Sequence, residues 1–420
     1  MRRADPAIRL IGFAIAVLLV ATTSTVAQER QPSAVIVDSD MTPVAGTADL
    51  LTLQRGLNRL ETKLLPPAPF PETSRVKRLL GIGYRLGVSL AVDLPQDDFL
   101  MVFAHEVYGH GARLREIGAG GIRYGFDAPL PYGPGGAVTE FEGDLLVTRA
   151  DILAVDTAGI EAQNVLADVI DRQALVRGSL PHREGWLYLQ SRLDGLRYIR
   201  SVSPDSPEGH DVADFLRDLN DECAPPACAP LDRRTLKHRA LLMLADPFLA
   251  YAAYGVAVSY LFLGQPSVAV PMIPLPHDVR YLPALRFEMT PYGTEWSTEH
   301  NIVVDRRLMR MSLGVGDTRV GHAWDIGMFA TNVVRNGPIA ADVTADVWRQ
   351  PRLDASPDSS GLETGGFAAA TARVPLGIAT QAIGRIGLYF QAGYKSDGFV
   401  RGERLHAGPI VRAGLTFDPR

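Results

Sequence analysis

The segment His105-Glu106-Val107-Tyr108-Gly109-His110 holds two imidazoles with a carboxylate beside the first, the residue types of a hydrolytic metal centre. In the common zinc-peptidase pattern the two histidines stand four apart, on one face of a helix. Here they stand five apart. At about 100° per residue the second ring points roughly 140° away from the first, so an ideal α-helix does not bring both to one ion. A π-helical turn of about 4.4 residues brings the fifth position back to the same side, and such turns favour functional sites. Gly109 lowers the cost of that distortion. The preceding run, Phe99 to Ala104, is apolar, so His105 and Glu106 are expected to start buried. A buried charged pair needs a partner, and a metal supplies one.

A second acidic segment, Glu140-Phe141-Glu142-Gly143-Asp144, follows thirty residues after His110. Read as part of a helix from about Val138 to Val155, it puts Glu140 and Asp144 on one face. Catalytic zinc takes three protein ligands and keeps one position open. His105, His110 and Glu140 supply the three, and the expected cofactor is Zn2+. Asp144 is then placed to accept a hydrogen bond from the outer nitrogen of a ligand histidine. Glu106 would not bind metal. It would act as general base, taking a proton from the attacking water and passing it to the leaving amine. The plain reading of Glu140 to Asp144 alone is a solvated first turn of a helix. Tyr108, Tyr124 and His182 are weaker candidates for assisting an oxyanion. Ile122 to Phe126 reads as an edge strand able to pair with an extended peptide.

HEVYGH followed by EFEGD resembles the zinc metallopeptidases of the HExxH class whose third ligand lies in an ExxAD-type motif. That group includes the integral-membrane prenyl-protein endopeptidases and their bacterial quality-control relatives. The resemblance implies peptide-bond hydrolysis, with Glu140 as third ligand and Asp144 supporting a histidine. It covers about Leu100 to Ala150. The histidine spacing is one residue longer than in that class, and Gly143 stands where Ala is usual. The longer spacing is instead similar to the HELLGH motif of a dipeptidyl-peptidase family, in which an HExxxH arrangement binds zinc.

The elements that must hold these residues divide the chain. Arg2, Arg3 and Arg9 precede a short apolar run, Leu10 to Ala21, and small residues up to Ala27, the layout of a secretory signal over 1–27. Export agrees with Cys223 and Cys228, which sit five apart in a Pro-rich turn and read as one small disulfide. Residues 76–94 are apolar with glycines and read either as a strand pair or as a buried helix. Helices are predicted at about 160–176, 184–200 and 210–220, and a long one at 234–262, apolar enough to cross a membrane. From about residue 278 the period changes to two: Met309, Met311, Leu313 and Val315 alternate with Arg310, Ser312 and Gly314.

The fold expected is α+β: a helical zinc-peptidase-like domain over 28–270, then an antiparallel β-barrel of about eight strands over 278–418. In an exported chain, apolar residues on one face and charged or small ones on the other predict a barrel in the outer membrane, with the helical domain on the periplasmic side. The alternatives are a secreted sandwich with one solvated face, and a periplasmic or inner-membrane protein. The partners expected are a protein or peptide of the envelope and membrane lipid.

Composition limits the rest. The chain has 420 residues, 42 Lys and Arg against 47 Asp and Glu, a net charge of −5, and no basic excess to suit nucleic acid. It is long enough for a large core and too apolar, at 46%, to be mainly disordered. The leading function is a zinc-dependent endopeptidase of the cell envelope. Two others are kept: a barrel with a plug or assembly role and a non-catalytic metal site, and a zinc hydrolase of lipid or cell-wall amides.

Overall fold

The computed structural model describes residues 33–66, 69–70, 74–142, 147–207, 209–221, 230–318, 320–336, 339–353, 361–380 and 384–418. The expected signal over 1–27, the Cys223–Cys228 pair and Asp144 lie outside them.

Strand β1 (Ser33–Val37) leads into helix α1 (Pro43–Leu64). The apolar stretch at 76–94 is helical. Helix α2 (Arg75–Val88) runs through a π turn at Ser89–Asp93 into α3 (Leu94–Phe103), a second π turn at Ala104–His110 and α4 (Gly111–Glu116). A small hairpin follows, β2 (Gly120–Phe126) with β3 (Ala137–Glu142). The helix predicted at 138–155 is therefore absent at its start. Its β-branched and aromatic residues, Val138, Thr139 and Phe141, suit a strand. Helix α5 begins only at Arg149 and runs to Arg177. Thr148 and Asp151 close a capping box at its start, and Gly178, at φ +74°, takes the left-handed turn at its end.

Strand β4 (Ser179–Pro181), α6 (His182–Ser201), α7 (Asp211–Asn220) and α8 (Arg233–Ala240) come next. The long helix predicted at 234–262 is broken. A short 3₁₀ stretch ends at Ala245, Asp246 caps α9 (Pro247–Tyr254), and a π segment runs to Phe262. Pro247 cannot continue the preceding helix, which makes the break. No single helix among the described residues is long and apolar enough to cross a membrane, and the two halves, Arg233–Ala245 and Pro247–Phe262, meet at a 62° bend.

After β5 (Ser267–Ala269) and β6 (Ile273–Pro274), eight long strands run up and down: β7 (Arg280–Thr290), β8 (Gly293–Val304), β9 (Arg307–Thr318), β10 (Gly321–Asn336), β11 (Ile339–Pro351), β12 (Leu362–Thr380), β13 (Gly384–Lys395) and β14 (Gly408–Asp418). With β6 and β1 at its two edges they make one ten-stranded antiparallel sheet. The sheet ends at those edges and is not closed into a barrel. The expected outer-membrane barrel, its membrane-crossing strands and the location drawn from it are thereby corrected. Period-two alternation reports which side chains share a face. Closure depends on strand tilt and stagger, which the alternation does not encode.

The two faces are as the alternation predicts. Arg286, Glu299, Arg310, Gln391 and Arg412 are buried on one, and Met311, Leu313, Leu388 and Val411 are exposed on the other. Helix α5 lies against the polar face. Arg310 reaches Asp171 at 2.6 Å and also holds Asp168, while Arg286 bonds Asp171, Asp246 and Glu299. A polar cavity of about 830 Å³ remains between α5 and the sheet. The largest apolar core lies between the helices, where Leu100, Ala104 and Val107 meet Leu166 and Ile170 of α5 and Leu187 of α6.

Candidate metal centre

The five-residue histidine spacing is met by a π turn. The helix widens over Ala104–His110, and both imidazoles come to the same side. The two Nε2 atoms lie 3.2 Å apart. Two glycines let α5 approach. A Cβ on Gly109 would lie 2.6 Å from the Ala158 carbonyl oxygen, and one on Gly159 would fall on the His105 ring. Arg113 of α4 anchors the segment through both oxygens of Glu161 on α5, each at 2.8 Å.

The carboxylate that meets the histidines is Asp211. Its Oδ2 lies 3.0 Å from His105 Nε2 and 3.3 Å from His110 Nε2. Asp211 is the first residue of α7, where the helix N-terminus favours a negative charge. Its backbone N–H donates to the Tyr198 hydroxyl at 3.2 Å, and the Tyr198 ring stands 6.2 Å from that of His105.

Glu140 occupies a different place. It lies on β3, exposed, paired in register with Arg123. Its neighbour Thr139 projects to the opposite face of the strand and donates to Glu106 Oε2 at 2.5 Å. The resemblance to the ExxAD-type class is corrected on this point: Glu140, Phe141 and Glu142 lie on a hairpin strand here, and the acid beside the histidines comes from α7. Asp211 carries no sequence signal of its own. It is one of 47 acidic residues, over a hundred positions from the histidines, with no motif around it.

The three atoms fit a small divalent ion. Ligand bonds of about 2.0–2.1 Å at tetrahedral angles place neighbouring donors about 3.3–3.4 Å apart. The observed separations are 3.0, 3.2 and 3.3 Å. His110 Nδ1 lies 2.8 Å from the Val155 carbonyl oxygen. A carbonyl only accepts, so Nδ1 carries a proton and donates, and Nε2 is the atom that faces His105 and Asp211 and would take a metal. Two imidazole nitrogens and a carboxylate meeting in a nearly buried space call for a cation. The chain therefore carries a His/His/Asp cluster whose donor atoms could hold a metal ion.

Titration agrees with that demand. Burial pulls His110 down, but the charge and hydrogen bond of Asp211, with Glu106 and the Val155 carbonyl, outweigh it and raise the group to about 9. Burial raises Asp211, and the two histidines more than reverse this, holding its carboxyl well below the usual range.

Glu106 is 6% exposed, and its partner is the Thr139 hydroxyl. Among the described residues it has no Arg or Lys partner. The other candidates are engaged elsewhere. Tyr108 packs in the core against Phe103, and its hydroxyl is pushed up to about 12 by burial. Tyr124 accepts from Arg115 at 2.8 Å. His182 stacks on Tyr260 at 3.6 Å and donates through Nδ1 to the Pro266 carbonyl. Strand β2, where an extended peptide was expected to pair, has β3 on one side.

Compared with protein-family models, with curated proteins and with solved structures, the chain finds no match.

Proposed function

We propose that the chain is a zinc-dependent hydrolase of amide bonds, with peptide as its substrate class. The observation that carries this reading is a buried carboxylate, Glu106, next in sequence to His105 and with no Arg or Lys partner among the described residues. His105, His110 and Asp211 would hold the ion and leave its fourth position open. Zinc in such a site polarises a carbonyl and lowers the pKa of water. Glu106 takes the proton from the attacking water and returns it to the leaving nitrogen. Thr139 fixes the orientation of that carboxylate by donating to Oε2. Tyr198 holds the Asp211 backbone, and so the carboxylate, in place.

A second reading has its own support. The side chains of His105, His110 and Asp211 are only 12%, 10% and 14% exposed, and the large cavity lies elsewhere, against the sheet. On this reading the metal is a clasp, tying α7 to the π turn without chemistry. Hydrolysis of unfolded protein by the zinc-loaded chain, compared with its Glu106→Gln variant, separates the two. Loss of cleavage with zinc retained supports the hydrolase. Cleavage that survives in Glu106→Gln contradicts it, and no cleavage by either chain leaves the clasp.

A further inference from the structure

We propose that the outward face of the large sheet is covered by the acyl chains of lipid. This rests on the sheet alone and is independent of the metal centre.

A sheet in water keeps its charged side chains outward and its apolar ones inward. This sheet reverses the order from β8 to β14. Its buried face carries Glu295, Glu299, Arg310, Lys395 and Arg412, at most 9% exposed. Its open face presents Met309, Leu313, Ile326, Leu388, Phe390 and Val411, each more than 40% exposed. The charges that share the outward parity fall at strand ends: Arg307 opens β9, Asp317 is next to last on it, and Arg349 is near the end of β11. An apolar band with charged margins, continuous over seven neighbouring strands, is far larger than the patches that water-exposed monomers carry.

Apolar side chains that follow two of the helices are exposed as well. Leu241, Leu242 and Leu244, which follow α8, are exposed, and so are Val258 and Phe262 after α9. At the β1 edge, helix α1 takes up backbone groups. Asp49 of α1 accepts the Ile36 N–H of β1 at 2.7 Å, and Thr52 of α1 donates to the Ala34 carbonyl at 2.7 Å. Side chains of α1 thus satisfy backbone groups that a solvated edge would leave to water, as hydrocarbon demands. The inner face meets its own needs too: Lys395 gives its three protons to the carbonyls of Ser396, Gly398 and Leu405. Contact with acyl chains needs neither a closed sheet nor a crossing helix. A protein partner would have to match a band of single apolar side chains seven strands wide, whereas fluid chains conform to it.

Tryptophan reports the contact. Trp296 and Trp324 lie on the open face, 38% and 37% exposed, while Trp348 faces inward at 2%. The full chain, purified in mild detergent, is reconstituted with phosphatidylcholine vesicles whose acyl chains are either ordinary or brominated, then floated on a density gradient. The chain is expected to float, and bromine to remove up to about half of its emission, the share of two tryptophans in four. That loss should vanish in the Trp296→Phe, Trp324→Phe double variant, which keeps both rings aromatic and the fold intact. Three results overturn the proposal: a chain that stays monomeric in detergent-free buffer and does not float, one that floats with equal emission in both lipids, or one that pairs through this face, shown by crosslinking at Leu313→Cys.

Discussion

Gly159 of α5 stands against His105 so closely that a Cβ there would lie 2.2 Å from the imidazole Nε2. The absent side chain is what allows the ring to reach Asp211. Gly159→Ala improves helix propensity by about 1 kcal/mol yet pushes the ring off the meeting point. The variant should fold and lose metal affinity by roughly 10- to 100-fold, the range seen when support for a ligand is disturbed. Zinc titration by calorimetry, beside circular dichroism to confirm the fold, checks this. Unchanged affinity would contradict the packing account.

Glu106 and Thr139 form a pair with separable effects. Glu106→Gln should lower turnover by roughly 10²- to 10⁴-fold, the usual share of a general base, and leave the zinc content as it is. Thr139→Val removes the hydroxyl that orients the carboxylate and should lower turnover less, with KM nearly unchanged. Steady-state kinetics on a peptide library, with metal analysis of each variant, makes the measurement. A Thr139→Val chain as impaired as Glu106→Gln would place Thr139 in the chemistry itself.

His182 sets a limit toward acid. Burial, more than the opposing hydrogen bond to the Pro266 carbonyl, lowers it from 6.5 to about 3. Because the folded value is below the unfolded one, the unfolded chain takes up the proton first as pH falls. The stabilisation is complete above about pH 6.5 and is lost down to about pH 3, at roughly 1.4 kcal/mol per pH unit. His182→Phe keeps the stacking on Tyr260 and cannot titrate. The gap between the urea midpoints of wild type and this variant should be constant above pH 6.5 and shift against the wild type below it. A gap that never changes with pH would rule the group out.

Arg286 pairs with three buried acids, Asp171, Asp246 and Glu299, and is itself 1% exposed. Arg286→Met strands carboxylates that burial already disfavours and should cost about 3–5 kcal/mol. Thermal unfolding of the two chains tests it. A loss under 1 kcal/mol would mean that the neighbouring Arg310 takes over the acids.

What the sequence revealed follows from what is local. The π turn at Ala104–His110 was legible because five-residue spacing, apolar flanks and Gly109 all lie within one segment. The β7–β14 strands and their faces were legible because alternation is a short-range signal. The third acid was not. Asp211 reaches the histidines only because α5 and α6 fold between them in sequence and return α7 to the π turn. Glu140 misled because a local acidic motif near a histidine pair outweighed the strand character of Val138, Thr139 and Phe141, and that strand now serves Glu106 through Thr139 instead. Whether the sheet edges meet was hidden for the same reason, since closure is a property of all ten strands together.

The ligand set is the central claim, and metal analysis of four chains tests it most directly. Wild type, Asp211→Ala, Glu140→Ala and His105→Ala, each stripped, reloaded with zinc and desalted, are measured by atomic emission. The account predicts about one zinc per chain in wild type and in Glu140→Ala, and little in Asp211→Ala or His105→Ala, as three coordinating side chains require. Zinc retained by Asp211→Ala and lost from Glu140→Ala would contradict it.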